Sequence, residues 1–476
     1  MCIGGKCVKL TMKKIFASVG LAAIGASSLQ AQYAPGLTAV ETSKPWSVSA
    51  SLRGFYDDNY LTEPGHFAVT PSPSNPSGQA SKRGSFGAEF APSVAFNHST
   101  EDTLLSASYV YDFRYYFDHS AQDSSHQINL KMDHQFSERY KLNVSDSFVI
   151  AQEPTVIDPS VITSPLRVNG NNVRNTGNLD FFATLTKLLD LHLGFGDTVT
   201  AYQQTQGDVF DLDQPGLPGV VNGAAGPSRS AALDRNDLTA VVDLRWKFLP
   251  ETTGVTGYQY EHVDYTSPEY IIFPNPTPAS GLPAGLSAES GPGGFRANIR
   301  NSDDHFVFVG VDQSITPDLN ATVRVGAEYV DYSKVSQNRL SPYADANITW
   351  QFFAQSYAQA GVKHIHNSTD VTGGVGSAAS PVLDEESTAA YVSVSHTISS
   401  FTVSALGQAQ WSTFDGGGTG FDNKDEDFYI AGVNLAYHIN PFLLAEAGYN
   451  FNRLISDLSD RGYVRNQVYI GLRATY

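Results

Sequence analysis

The chain is poor in cysteine, in charge and in long apolar runs. Of its 476 residues only two are cysteine, Cys2 and Cys7, and charged residues make up 16 %. Both cysteines precede an export signal, so the sequence predicts a mature protein that needs no disulfide in an oxidising compartment. After residue 31 no window approaches the roughly 18 uncharged apolar residues that a membrane helix requires. These absences argue against a disulfide scaffold and against a bundle of membrane helices.

Positive charge is also scarce, with 30 Lys and Arg against 48 Asp and Glu and a net charge of −18. This balance argues against nucleic acid as a partner. Catalytic signatures are lacking too, since the chain has no G-x-S-x-G elbow and no H-E-x-x-H. We therefore predict a protein that is not an enzyme and that carries no cofactor.

Aromatic residues and glycine are abundant, with 27 Phe, 24 Tyr and 41 Gly. Mean hydropathy is −0.21, a value that by itself describes a water-soluble chain. The average hides a pattern, because apolar and polar residues alternate over many short segments and cancel. Alternation with a period of two gives an extended strand one apolar face and one polar face.

The N-terminal residues read as a targeting segment. Lys13 and Lys14 form a basic region, residues 15–26 an apolar region and residues 28–31 a small-residue cleavage site. We predict a signal peptide over 1–31, with 1–11 an upstream misassigned start, then a short leader over 32–45 and one domain over 46–476. A lipoprotein reading of Cys7 is the alternative, but no apolar region precedes that residue.

The last fourteen residues show the alternation most clearly. The apolar side comprises Val464, Val468, Ile470, Leu472, Ala474 and Tyr476, and the polar side Arg465, Gln467, Gly471, Arg473 and Thr475. The same pattern recurs in units of about ten residues, the length of a tilted membrane-spanning strand. Eighteen strands are predicted, with sixteen as the second choice. They span 46–60, 84–96, 104–117, 126–136, 140–151, 178–186, 191–202, 237–248, 254–265, 304–314, 320–332, 342–352, 355–366, 387–396, 401–413, 428–439, 442–452 and 463–476.

The predicted connections alternate between short and long. Residues 137–139 and 440–441 are short, whereas 203–236 and 266–303 are long and rich in Pro and Gly. Such composition is not expected to form a regular core. Either one of these loops folds inward and narrows a channel, or both shield the surface.

An export signal, alternating strands, sorted connections and a terminal aromatic together resemble the outer-membrane β-barrels of Gram-negative bacteria. In that family the final strand and its terminal aromatic, here Tyr476, are read by the barrel-assembly machinery. The resemblance implies an all-β, antiparallel, up-and-down transmembrane barrel with short periplasmic turns, long outer loops and a periplasmic leader. It implies contact with outer-membrane lipid and lipopolysaccharide, and leaves a homotrimer open. The chain resembles β-barrel porins, including those found with exopolysaccharide export systems.

Aromatic residues near strand ends are expected to form two belts at the lipid–water boundaries. The periplasmic belt would contain Phe96, Phe136, Trp246, Phe248, Trp350 and Phe352, and the outer belt Tyr115, Phe117, Tyr202, Tyr265, Tyr332 and Trp411.

Charged residues on the polar faces are predicted to point into the barrel, because lipid-facing charge is costly. The predicted pore-lining residues are Arg53, Asp112, Arg114, Lys131, Asp133, Lys141, Asp243, Arg245, Arg324, Glu328, Lys363, Glu446 and Arg473. These mixed charges either hold water and select solutes or pair with one another and stiffen the wall.

Two further groups suit metal ions weakly. The acidic run 422–427 lacks the spacing of a calcium loop and is interrupted by Lys424, so a solvated loop is the preferred interpretation. His364 and His366 share one strand face, but two imidazoles fall short of the usual three or four ligands. No metal site is predicted.

Three functions remain open. The first is passive diffusion of small hydrophilic solutes with a mild cation preference, because a barrel of 16–18 strands leaves an aqueous channel. The second is a conduit for exopolysaccharide export, for which a basic ladder would suit an acidic polymer; the mixed charges favour the first. The third is a non-conducting barrel whose loops bind a partner at the surface.

Overall fold

The computed structural model describes residues 45–62, 84–118, 120–152, 172–205, 227–272, 294–373, 380–458 and 461–476. Its strands are β1 (Trp46–Asp57), β2 (Ser85–Ser99), β3 (Thr103–Tyr116), β4 (Ala121–Gln135), β5 (Tyr140–Ala151), β6 (Asn172–Thr184), β7 (Leu189–Tyr202), β8 (Arg235–Leu249), β9 (Thr252–Tyr265), β10 (Tyr270–Ile272), β11 (Phe295–Arg296), β12 (Ser302–Thr316), β13 (Leu319–Tyr332), β14 (Asn338–Phe353), β15 (Ser356–Asn367), β16 (Val382–Ile398), β17 (Phe401–Gly416), β18 (Asp425–Asn440), β19 (Leu443–Ser456) and β20 (Tyr463–Thr475). One short helix, α1 (Arg229–Leu233), precedes β8, and 3₁₀ turns cover Ala297–Arg300 and Gly418–Gly420.

Eighteen of these strands form a single antiparallel sheet in which each pairs with its neighbours along the chain. The sheet closes because β1 pairs with β20, from Ser49 opposite Thr475 to Asp57 opposite Gln467. The fold is thus an up-and-down barrel, and the prediction of eighteen strands is confirmed. The sixteen-strand alternative is wrong. The remaining strands, β10 and β11, form a small hairpin in one outer connection.

Closure at the seam between the first and last strands involves the terminal residue. The Tyr476 backbone N–H donates to the Val48 carbonyl at 2.8 Å, and the Val48 N–H donates back at 3.1 Å. The Tyr476 ring lies 5.9 Å from that of Trp46. The C-terminal aromatic therefore sits at the periplasmic edge of the closing strand pair.

The alternation determines which face meets lipid. Outward residues such as Val433 and Ile470 are 51 % and 70 % exposed, whereas inward Glu446 and Arg473 are 4 % and 3 % exposed. An exposed apolar exterior is stable only in hydrocarbon, and a closed barrel leaves no unpaired strand edge there. We call the band of outward apolar side chains the apolar belt.

Several strands extend beyond their predicted ends on the outer side. β4 begins at Ala121, β6 at Asn172 and β16 at Val382, each five or six residues before the predicted start. Outside the membrane both faces of a strand meet water or loops, so the apolar alternation that marked each strand stops before the hydrogen-bond ladder does.

The predicted periplasmic belt agrees with the exposure of Phe136 and Trp246, at 59 % and 53 %. The predicted outer belt is partly wrong, because Tyr265 and Tyr332 are each only 3 % exposed. Both share the inward face of their strands and pack under the folded outer loops. Their positions in the sequence predict correctly that Tyr265 and Tyr332 lie near the outer rim, but they face the lumen and not the lipid.

The predicted signal peptide over 1–31 and nearly all of the leader over 32–45 lie outside the described residues. Among the described residues, no helix has the length and hydropathy needed to cross a membrane.

Candidate functional site

The inner wall carries a first row of ion pairs across β19, β1, β2 and β3. Arg53 contacts Glu446 at 2.6 Å and Glu89 at 2.7 Å. Arg114 contacts Glu89 at 3.2 Å and Asp112 at 3.1 Å. The Arg53, Glu89, Glu446 and Arg114 side chains are all buried. Acid and base alternate along this row, so each guanidinium serves two carboxylates.

A second row lies across β6, β7 and β8 on another part of the wall. The His192 ring contacts Asp180 at 2.9 Å and Asp243 at 2.7 Å. Asp243 also accepts from Arg245 at 2.8 Å. The imidazole thus bridges two carboxylates on neighbouring strands.

The second row continues onto β12 and β13. Asp312 lies 3.8 Å from Arg245 and 2.6 Å from Arg324. The Arg245 and Asp312 side chains are each 27 % exposed, far more than those of the first row. This part of the wall meets the water of the lumen.

Other predicted pore-lining residues are dispersed over the same face. Lys131 and Asp133 pair at 3.4 Å along β4, and Arg473 donates to Ser49 Oγ at 3.2 Å. Lys141 stands opposite Gln135 near the periplasmic end of β5. The structure therefore groups Arg53, Asp112, Arg114 and Glu446, and separately groups Asp243, Arg245 and Arg324. Lys131, Asp133, Lys141 and Arg473 belong to neither group.

The two remaining predicted residues lie toward the outer half of the lumen. Glu328 is 1 % exposed and accepts a hydrogen bond from the His366 backbone N–H at 3.0 Å. Lys363 stands opposite Asp345 on β14 and lines a cavity of about 370 Å³. This cavity also has Arg174, Glu261 and Asp304 in its wall.

Sequence reasoning missed Glu89, Asp180, His192 and Asp312, which complete the two rows. Each has the parity of the inward face of its strand; Glu89, for example, lies between the outward Ala88 and Phe90. The alternation of these strands therefore contains the signal that places all four residues on the inner wall.

A neutral polar row crosses the wall between the charged groups. The register aligns Ser108, Asn129, Ser147, Thr176 and Thr198 on adjacent strands β3 to β7. Ser147 Oγ donates to Asn129 Oδ1 at 2.9 Å, and Thr198 Oγ1 donates to Thr176 Oγ1 at 3.3 Å. Hydroxyl and amide groups of this kind solvate uncharged polar solutes.

The two longest loops fold inward where the structure describes them, and both contribute to one small apolar core. Ala231 of α1 and Ile271, Ile272 and Ala297 of the second loop pack against the inward side of β9. The helix starts at Ser228, whose hydroxyl accepts from the Ala231 N–H at 2.9 Å. The described ends of the two loops form this core because a serine cap and a few apolar residues suffice once the barrel wall supplies the other side. The Pro- and Gly-rich middles of the loops, 206–226 and 273–293, lie outside the described residues.

Arg300 ties the folded loops together and is only 1 % exposed. Its guanidinium donates to the Val382 carbonyl at 2.9 Å, the Ala232 carbonyl at 3.1 Å and the Thr369 carbonyl at 2.9 Å, and also to that of Val371. One side chain therefore satisfies carbonyls from α1, from the connection after β15 and from the start of β16. We call these joined segments the loop cluster.

Asp370 adds an ionic joint to the loop cluster. Its carboxylate pairs with Arg229 of α1 and with Arg461, at 2.8 Å for the latter. Arg461 also reaches Glu426 at 2.7 Å. Burial opposes the charged form of Asp370, but the two guanidiniums outweigh it and hold the pKa of this carboxyl well below its usual range.

The residues considered for metal binding engage protein partners instead. His364 contacts Glu386 and Thr388, at 2.9 and 2.8 Å, and His366 contacts Asp384 at 3.0 Å. In the acidic run, Asp422 accepts from the Gly416 N–H at 3.0 Å. Within the described part of the chain, no group of three or more His, Cys, Asp or Glu side chains is arranged to hold a metal ion.

Comparison with known protein families also indicates a membrane β-barrel. Residues 294–476 match the family model described as "Putative beta-barrel porin 2". Because this segment supplies nine of the eighteen wall strands and the remaining nine close the same sheet, one membrane barrel accounts for the whole wall. The chain is an outer-membrane β-barrel.

Solved structures similar to this outer-membrane barrel are distant. OccK11 (OpdR) from Pseudomonas aeruginosa is 11 % identical, with 90 % of this chain and 96 % of that chain covered and a TM-score of 0.38. A BenF-like porin from Pseudomonas fluorescens Pf-5 is 9 % identical, with 90 % and 99 % covered and a TM-score of 0.39. The siderophore receptor PirA from Acinetobacter baumannii is 9 % identical, with 90 % and 80 % covered and a TM-score of 0.41. The comparison with curated proteins finds no match.

Proposed function

We propose that this barrel is a channel for passive diffusion of small hydrophilic solutes across the outer membrane. The observation that supports it most is the polar inner wall, where charged rows and a hydroxyl–amide row run from strand to strand. Eighteen strands enclose a lumen wider than side chains alone can fill. The cavity of about 370 Å³ beneath the loop cluster is large enough for a small solute.

The test is single-channel recording with refolded protein in planar lipid bilayers. Ohmic conductance steps are the expected result, and swelling of proteoliposomes should fall as the added sugar becomes larger. Protein that is folded by circular dichroism yet passes no current would contradict the proposal. Heat-unfolded protein is the control for leakage from disordered aggregates.

We propose further that the channel mildly prefers cations. The first row has three carboxylates, Glu89, Asp112 and Glu446, against two guanidiniums. The second has Asp180, Asp243 and Asp312 against two guanidiniums and the His192 imidazole. This excess raises the local concentration of cations in a narrow aqueous passage. The reversal potential across a KCl gradient should therefore have the sign of cation selectivity.

Asp312 offers a sharper version of this experiment, because its side chain is 27 % exposed and lies between Arg245 and Arg324. Asp312→Asn should shift the reversal potential toward zero without closing the channel. Asp102→Asn, a charge removal of equal size in an exposed turn outside the barrel strands, is the matched control. Anion selectivity of the unmodified protein would refute the preference.

Two alternatives each have one supporting observation. The neutral row from Ser108 to Thr198 favours passage of an uncharged saccharide, and block of the current by neutral oligosaccharides would support an export conduit. The buried Arg300 joins the loop segments that lie over the lumen, and such a cover favours a sealed barrel. A folded protein without conductance would support that second alternative.

A further inference from the structure

Three polar side chains stand on the outward face of the barrel, on neighbouring strands. Asp146 of β5 lies opposite Leu130, which is 47 % exposed, and opposite Gly177 of β6. Asp197 of β7 lies opposite the other side of Gly177 and opposite Leu238. Asn175 of β6 is two residues from Gly177 on the same face. We call Asp146, Asn175 and Asp197 the polar seam.

Contacts within the polar seam confirm its outward position. The Asn175 Nδ2 group donates to Asp146 Oδ2 at 3.3 Å. A Cβ placed on Gly177 would lie 3.5 Å from the same oxygen, so the aspartate side chain lies over this glycine. Asp197 is exposed, and its carboxylate makes no ion pair with any residue that the structure describes.

The depth of the polar seam is unusual. Asp146 lies between Val144 and Phe148 on the outward face of β5, and Asp197 lies between Phe195 and Val199 on that of β7. In the other described strands, outward Asp, Glu, Lys and Arg occur only near the outer ends, as at Asp303, Glu386 and Arg453. The seam therefore interrupts the apolar belt itself.

Hydrocarbon is a poor environment for such groups. Carboxylates and amides inside a bilayer lose water without gaining a partner, and they normally face protein or a water-filled cavity. The inner wall of this barrel obeys that rule strand after strand. Three adjacent polar side chains that point toward lipid therefore indicate that another polar surface covers this face.

We propose that the polar seam is a two-fold interface between two copies of this barrel. Two copies in one membrane share an orientation, so a two-fold axis along the membrane normal brings the same face of each together. The Asn175 amide gives one N–H to Asp146 of its own chain, and its second N–H can donate across the axis to an Asp146 or Asp197 oxygen of the other copy. Gly177, without a side chain, leaves room for the Asp146 side chain to lie flat against the wall.

A closed trimer fits these residues less well. In a three-fold ring each copy presses one face against a different face of its neighbour. The polar seam would then meet apolar side chains, because the rest of the described belt offers no outward carboxylate or basic group at that depth. The seam therefore favours a dimer over the trimer that the resemblance to porins leaves open.

The first experiment is native mass spectrometry of the full chain extracted from outer membranes in mild detergent. A dimer is the expected result for the unmodified protein. The variant Asp146→Leu/Asn175→Leu/Asp197→Leu replaces the seam by residues suited to lipid and should shift the population to monomer by at least ten-fold. Ala405→Leu, on the outward face of β17 across the barrel, is the matched control and should remain dimeric.

The second experiment distinguishes the symmetry and does not depend on purification. Leu179→Cys places one thiol beside the polar seam on the outward face of β6, where the native side chain is 40 % exposed. A short bis-maleimide added to membranes should link two such chains, because a two-fold axis sets equivalent residues against each other. Val403→Cys on β17 should give no linked product.

Three outcomes would overturn the proposal: a monomer for the unmodified protein, a trimer, or dimers that persist in the triple Leu variant. Folding of each variant is verified by its heat-dependent shift in gel mobility. Conductance is recorded in parallel, because a single barrel conducts whether or not it pairs. Failure of the channel proposal is thus distinguishable from failure of the interface.

Discussion

At the scale of single residues, three of the four arginines in the charged rows each contact two carboxylates. Arg53 is the clearest instance, because Glu89 and Glu446 reach it from the two strands that flank the closing pair. All three side chains are buried. Removal of the guanidinium leaves two carboxylates close together without a counter-charge.

We expect Arg53→Met to lower the free energy of unfolding by about 3–5 kcal/mol, the range for breaking a buried ion pair from one side. Urea unfolding of protein refolded in lipid vesicles, followed by tryptophan fluorescence, measures this loss. Lys131→Met is the matched control, because the Lys131 side chain is 32 % exposed and exposed pairs contribute little. Equal losses in the two variants would contradict the argument.

Asp370 makes the loop cluster sensitive to acid. Its pKa is depressed by Arg229 and Arg461, so the stabilisation is fully present above the pKa of an unfolded aspartate, about 3.9. It is lost as the pH falls from there toward the lower pKa of the folded state. We expect hydrogen exchange in residues 227–234, corrected for intrinsic rates, to be equally slow at pH 7 and 5 and faster at pH 3.

The comparison for this acid effect is Asp370→Asn. It should exchange quickly at all three pH values, since its side chain cannot carry the charge that both guanidiniums need. A wild-type profile that is flat down to pH 3 would show that the ionic joint does not hold the cluster.

Sequence alternation predicts the face of most single residues, as it does for Arg53, Arg114 and Arg473. It does so because lipid rejects charge on one face and water accepts it on the other. The same reasoning passes over Asp146 and Asp197, whose parity puts charge on the apolar side. The alternation rule considers a single barrel in lipid, so it does not account for an outward surface that a second molecule would cover.

At the scale of elements, the outer loops are held by few contacts that concentrate in Arg300. Its four carbonyl acceptors come from segments far apart in the sequence. Proline and glycine spacing predicts the loops but leaves open whether they fold inward. That fold depends on one long cationic side chain finding carbonyls that no local pattern specifies.

We expect Arg300→Met to loosen the loop cluster while the barrel stays closed, since Arg300 belongs to no barrel strand. Each carbonyl left buried without a donor costs about 1–3 kcal/mol. Single-channel conductance should rise, and larger sugars should pass in proteoliposome swelling. Arg296→Met is the matched control, because the Arg296 contact with the Pro268 carbonyl is exposed; unchanged conductance in Arg300→Met would contradict this role.

At the scale of the whole molecule, the strand count and the order of strands were predictable, because every strand pairs with its neighbour in sequence. Short turns force such pairing, and lipid forces closure. The outer strand ends were not predictable to the residue, as β6 shows by starting at Asn172. There the ladder continues into water, where neither face is marked by hydropathy.

Tyr476 is expected to matter to assembly more than to final stability. It pairs with Val48 and touches Trp46 at the closing strands, and we predict that Tyr476→Ser lowers the folded amount in outer membranes several-fold. The folded fraction is read from gel mobility before and after heating. Tyr449→Ser, another outward aromatic on the neighbouring β19, is the control, and equal losses would assign the effect to lipid contact rather than to the terminal position.

The pairing of β1 with β20 also bears on how this protein comes into being. Hydrogen bonds between its opening and closing stretches tie together portions of the polypeptide that emerge from the ribosome at widely separated moments. An incomplete chain that lacks β20 has two strand edges whose backbone groups cannot be hydrogen-bonded within the lipid bilayer. The barrel can therefore close in the membrane only after the whole chain has been synthesised. A chain truncated before β20 is expected not to form a smaller functional barrel.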